Sequence, residues 1–192
     1  MRMHFRGLAW SLKTLVGLLL LVLLVIVVAP TFWRILYPLP YRAVIEKYAV
    51  ANNLDPRLVA AVIKVESNFR SGATSPKDAR GLMQVLPTTG AWIATEIGLP
   101  NYNDAILYDP EVNIRLGCWY LNNLVTQFGG QMPVALASYN GGRGNVQNWL
   151  TTGIWTGKEA DITQIPFAET RGYVWKVLRV YAVYQELYPL SR

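Results

Sequence analysis

Histidine and cysteine are almost missing from this 192-residue chain, which has one of each, His4 and Cys118. A lone cysteine excludes an intrachain disulfide and any cysteine zinc cluster. Its place in the apolar stretch 116–120 reads as a small buried thiol. His4 precedes a long apolar segment, so the rest of the chain has no imidazole. That excludes the Ser-His-Asp triad, the Cys-His pair and every histidine zinc site. Acidic residues are absent before position 40, where four basic ones stand: Arg2, Arg6, Lys13 and Arg34. From position 40 onward 14 basic residues face 12 acidic ones. The folded part therefore lacks the basic excess of a nucleic-acid binder. Internal repeats, low-complexity tracts and runs of alternating polarity are missing too. Chemistry without a metal or cofactor falls to carboxylates.

What is present begins with apolar residues, 52% of the chain and enough for a real core. The length suits one globular domain plus a short terminal element. Thr14 to Trp33 is a run of twenty residues without a charge, long enough to cross a hydrocarbon layer of about 30 Å. A cleaved signal peptide shares the basic flank but has a shorter apolar region and a small-x-small cleavage site. Here the run ends in Val27-Val28-Ala29-Pro30 and the bulky Phe32 and Trp33. The expectation is an uncleaved signal-anchor, with 1–13 in the cytoplasm because a basic flank stays inside. Residues 14–33 then form one transmembrane helix. A domain over 38–190 lies on the extracytoplasmic side, in the periplasm or cell-wall space.

Helix starts and stops dominate that domain. Asp55-Pro56 and Asp109-Pro110 each supply a cap followed by proline at the first helical position. The second opens a helix to Phe128 that Gly129 and Gly130 close. Further helices are expected over about 41–51, 87–97, 132–139, 143–150 and 168–187, with loops over 70–81 and 151–166. The result is an all-α domain of six or seven helices.

Glu66 continues the apolar stripe of Leu58, Val59, Val62 and Ile63 at helical spacing. A carboxyl facing inward is costly to ionise, so it holds its proton toward neutral pH, as a general acid must. A buried glutamate paired with an arginine or a helix amino terminus fits the same pattern.

The segments that follow separate these readings. Glu66-Ser67-Asn68-Phe69 leads into Ala73-Thr74-Ser75-Pro76-Lys77 and then Gly81-Leu82-Met83-Gln84 with Pro87. Ser138-Tyr139-Asn140-Gly141-Gly142 and Glu169-Thr170-Arg171-Gly172-Tyr173-Val174 come later. This ordered set, spread over about 41–188, resembles the catalytic domain of the soluble lytic transglycosylases, the SLT-type relatives of goose-type lysozyme. Two positions depart from the family's usual pattern: Asp78 stands where glycine is usual, and Ser138 where alanine is.

The resemblance implies a lysozyme-like helical fold, no cofactor, no metal, and peptidoglycan glycan strands as substrate. It implies that Glu66 protonates the oxygen between N-acetylmuramic acid and N-acetylglucosamine. Glu66 then acts as base on the muramic 6-hydroxyl, leaving a 1,6-anhydro end. Glycosidases usually pair two carboxyl groups, but substrate-assisted cases exist. By resemblance Ser75, Met83 and Gln84 line the cleft, with Gln84 on sugar or on Glu66. Tyr139 and Asn140 form its floor, the phenol orienting the carboxyl. Glu169 and Tyr173, one turn apart, close a network around the acid. Each has a plainer reading: Ser75 as a turn residue, Gly81–Gln84 as a turn, core residues and a surface amide, Asn140-Gly141 as a helix stop, Glu169 in a surface ion pair. Trp149, Trp155 and Trp175 are core or sugar-stacking residues. The alternatives are a hydrolytic muramidase, with Asp78, Asp104 or Asp109 positioning water, and a non-catalytic glycan-binding module of an envelope assembly. Protein partners are not legible.

Overall fold

The computed structural model describes residues 4–189, and within the first helix the side chains of 12, 14–24 and 31–36. Residues 1–3 of the expected cytoplasmic segment and residue 190 at the expected domain end lie outside the described residues. The chain divides into two compact units, Met1–Pro38 and Leu39–Arg192. In the first, α1 (His4–Leu36) is one continuous helix. Among the described residues no helix is long and apolar enough to cross a membrane. The span expected over 14–33 includes residues 25–30, whose side chains are not among those described.

The second unit has seven α-helices among its described residues. They are α2 (Arg42–Ala51), α3 (Pro56–Glu66), α4 (Pro87–Glu96), α5 (Pro110–Gln127), α6 (Met132–Gly141), α7 (Arg143–Thr151) and α8 (Ala168–Leu187). Two 3-10 turns are also present: Glu159–Gln164 lies inside the segment 151–166 expected to be loop, and Asp104–Tyr108 lies where no element was expected. Both expected caps form: Asp55 accepts from the Arg57 amide at 2.8 Å and Asp109 from the Val112 amide at 2.9 Å. Asn140-Gly141 is not the helix stop. Both stay helical, and Gly142 takes the turn at φ 86°, where a residue without Cβ is favoured.

α3 is the axis of the domain. Leu58, Val59, Ala60, Ala61, Val62 and Ile63 are all buried, so it is enclosed on every side and not along one stripe. Its last turn, which carries Glu66, emerges. Its start is pinned by a network in which Asp55 accepts from the Arg57 guanidinium at 2.6 Å and the Tyr181 hydroxyl of α8 at 2.8 Å. Burial alone would raise the Asp55 carboxyl, but these donors hold it below its usual range.

Candidate active site

α3 ends at Glu66, and the chain enters a long loop, 67–86, that returns across the emerging turn. Two isolated antiparallel bridges, Thr74–Arg80 and Arg80–Val85, fold this loop onto itself. Seven non-glycine residues among those described have positive φ, and four of them lie here: Asn68, Phe69, Asp78 and Gln84. Such backbone persists only where its surroundings over-determine it, and three side chains do so. The Ser67 hydroxyl donates to the Leu82 carbonyl at 2.8 Å. The Gln84 amide donates to the carbonyls of Gly81 and Ala73 at 2.9 and 3.2 Å. Asn113, fully buried in α5, accepts from the Met83 amide at 2.7 Å and donates to the carbonyls of Leu107 and Arg80 at 2.7 and 2.9 Å.

Between this loop, α6 and the start of α8 lies a cleft of about 330 Å³. Six of the eight expected site residues line it: Glu66, Ser75, Gln84, Tyr139, Asn140 and Glu169. Pro76, Lys77, Ala79 and Leu86 complete the wall. Met83 is not in the wall. It is fully buried, and its thioether fills the space that Gly117 of α5 leaves open by having no Cβ. Tyr173 is buried behind the cleft.

Glu66 is half-buried, and its carboxyl is pushed up to about 7. Loss of water is the main cause. The Tyr173 hydroxyl works against it, favouring the anion, and the charge of Glu169 adds to the rise. The last turn of a helix is also a poor place for an anion. The Tyr173 hydroxyl is buried, is satisfied by no other group among the described residues, and acts on Glu66. Tyr139, expected to orient the carboxyl, instead donates to the Met83 carbonyl at 2.8 Å and so ties α6 to the loop. The phenol presented to Glu66 is that of Tyr173.

The remaining residues have structural bonds as well as cleft positions. The Ser75 hydroxyl accepts from the Ala79 and Lys77 amides at 3.0 and 3.3 Å, the turn geometry expected of a serine before proline. Gln84 holds the loop's carbonyls and has no hydrogen bond to Glu66 among the described residues. Asn140 accepts from the Thr170 hydroxyl of α8 at 2.8 Å. Glu169 pairs with Lys77 at 3.3 Å, linking the α8 wall to the loop wall, and not with Arg171 or Lys176.

The carboxylates considered for a water-positioning role stand elsewhere. Asp78 takes the left-handed conformation, φ 62°, that a glycine would take there, and is bound by both arms of Arg80 at 2.9 Å. Asp109 caps α5, and Asp104 belongs to the 3-10 turn. Ser138 is fully buried with an unpartnered hydroxyl, and nothing in the structure explains serine there. Trp149 and Trp155 are 4% and 1% exposed, which makes them core residues closed to sugar, whereas Trp175 is exposed.

The model of the Transglycosylase SLT domain matches residues 43–162. The chain belongs to this SLT family. It is 35% identical over 153 residues to the soluble lytic murein transglycosylase of Escherichia coli K12, a match covering 78% of this chain and 23% of that protein. It superposes on the 70 kDa soluble lytic transglycosylase of Escherichia coli with a TM-score of 0.74 at 32% identity, over 80% of this chain and 25% of that one. It also superposes on an inactive glutamate-to-glutamine mutant of the lytic transglycosylase Slt from Pseudomonas aeruginosa, with a TM-score of 0.71, 35% identity and the same 80% and 25% coverage. The chain thus spans about a quarter of the length of these relatives. The expected all-helical, lysozyme-like fold is that of the SLT structures.

Sequence reasoning missed Asn113, Thr170 and Lys77 as supports of the site. Asn113 carried a signal like that of Glu66, a polar residue continuing the buried stripe of Gly117, Leu121 and Leu124. Thr170 and Lys77 carried none beyond their place in the motifs.

Proposed function

We propose that this chain is a peptidoglycan lytic transglycosylase in which Glu66 is the catalytic acid and base. The observation that carries this reading is a carboxyl pushed up to about 7 on the wall of a cleft. Protonated near neutral pH, Glu66 donates to the glycosidic oxygen linking N-acetylmuramic acid to N-acetylglucosamine. As its carboxylate it then removes the proton of the muramic 6-hydroxyl, whose oxygen closes on the anomeric carbon. One carboxyl serves both half-reactions, so no second catalytic carboxylate is needed. Ser75, Gln84, Asn140 and Glu169 contact the sugars, while Tyr139, Met83 and Tyr173 act through the loop and through Glu66. The Pseudomonas relative whose glutamate-to-glutamine mutant is inactive supports the assignment. The uncharged run from Thr14 to Trp33 after a basic flank supports a single-pass anchor holding residues 38–190 outside the cytoplasmic membrane.

Digestion of purified sacculi followed by mass spectrometry tests the reaction. The expected products carry anhydro ends, lighter by one water than reducing ends, and Glu66→Gln yields none. Reducing ends would make the enzyme a muramidase. Unchanged glycan with wild-type chain would make it a binding module.

A further inference from the structure

A second concave surface adjoins the cleft. Tyr120 lies against Tyr139 of the cleft wall, rings 5.3 Å apart, and its other neighbour is Trp92, whose ring stands edge-on at 6.2 Å. Trp119 holds Trp92 from behind at 5.3 Å. Trp92 is nonetheless 39% exposed while held between these two rings. Trp92 and Tyr120 open on a cavity of about 370 Å³ that Thr89, Asn123 and Arg143 also line. Apolar ring faces beside amide, hydroxyl and guanidinium donors are the chemistry of a pyranose site.

Arg143 narrows the ligand. Among the described residues it forms no salt bridge, and its one hydrogen bond is a long 3.4 Å contact to the Gln127 side chain, which in turn donates to Asn123 at 2.8 Å. Its charge acts on the Tyr120 hydroxyl, which burial raises and Arg143 lowers, so the guanidinium stands at the ring platform. A guanidinium without a carboxylate, beside a sugar platform, is complementary to a sugar that bears one.

We infer that Trp92, Tyr120 and Arg143 form a distal subsite for a carboxylate-bearing N-acetylated sugar of the same strand that reaches Glu66. The carboxylate belongs either to the lactyl ether of the sugar or to its stem peptide. The inference rests on the proposed function for the identity of the strand.

The test is read as binding, by calorimetry on the full chain carrying Glu66→Gln, so that failure of cleavage and failure of the subsite are separate results. Three ligands are compared: chitotetraose, a peptide-stripped tetrasaccharide of alternating N-acetylglucosamine and N-acetylmuramic acid, and the same tetrasaccharide with stem peptides. At least one carboxylate-bearing ligand is expected to bind about tenfold tighter than chitotetraose, the scale of one charge-assisted contact. Arg143→Gln is expected to erase that preference while leaving chitotetraose unchanged. Trp92→Ala is expected to weaken all three, and Trp92→Phe to restore most of the loss, which separates stacking from misfolding. A preference already present without peptides assigns the carboxylate to the lactyl group, and one seen only with peptides assigns it to the stem. Equal binding of all three ligands, a preference that survives Arg143→Gln, or full affinity in Trp92→Ala overturns the subsite.

Discussion

At the residue scale the behaviour of Glu66 depends on two opposed neighbours, the dry wall around it and the Tyr173 phenol. The acid form is the one that donates, so the proposed rate falls as pH rises through about 7. The same carboxyl costs stability. Its native pKa lies above its ordinary 4.5, so the native state holds more proton than the unfolded one between those values. Stability therefore falls with rising pH across that window. Glu66→Gln removes this penalty. Its stability should equal that of wild type below pH 4.5 and exceed it above pH 7 by on the order of 2–3 kcal/mol, seen as a higher melting temperature only at the higher pH in thermal melts. Tyr173→Phe deletes the hydroxyl that favours the carboxylate, so the alkaline limb of the rate profile should move upward, a shift that a purely structural role would not produce. Glu66 was legible because a carboxylate in an apolar stripe violates the pattern around it. The partner phenol was not legible as Tyr173, since Tyr139 and Tyr173 both read as aromatic neighbours of the acid. Only the Tyr139 bond to a backbone carbonyl 56 positions away separates them.

Among the elements, the loop 67–86 depends on α5 more than on its own turns. Asn113 satisfies the Met83 amide and the Arg80 carbonyl there, and with the same side chain the Leu107 carbonyl of the neighbouring 3-10 turn. Asn113→Ala leaves these groups unpaired and should cost about 3 kcal/mol, measurable by urea unfolding. Proposed turnover should fall with it because the loop carries Ser75 and Gln84. Helix positions were legible because Asp-Pro caps and paired glycines act within a few residues of where they stand. The first 3-10 turn and the loop's bridges were not, because they depend on Asn113 of α5 and on residues held at positive φ. Asp78 shows the same limit. Its departure from the usual glycine is visible in sequence, but the φ of 62° and the grip of Arg80 that together accommodate it are not.

For the whole molecule, the domain has its own core, built around α3 and closed by α8, and neither a disulfide nor a histidine site contributes to it. Residues 39–192 should therefore melt in one cooperative transition when separated from the first unit, with calorimetric and van't Hoff enthalpies in agreement. Two partly overlapping transitions would contradict a single core. Across the mouth of the cleft, Lys77 and Glu169 join the loop to α8 with side chains 76% and 70% exposed. A pair so fully wetted is worth less than about 1 kcal/mol and weakens further as salt is added. A polymer entering the cleft therefore parts this bridge at almost no energetic expense, so the pair marks the two walls without barring the way between them.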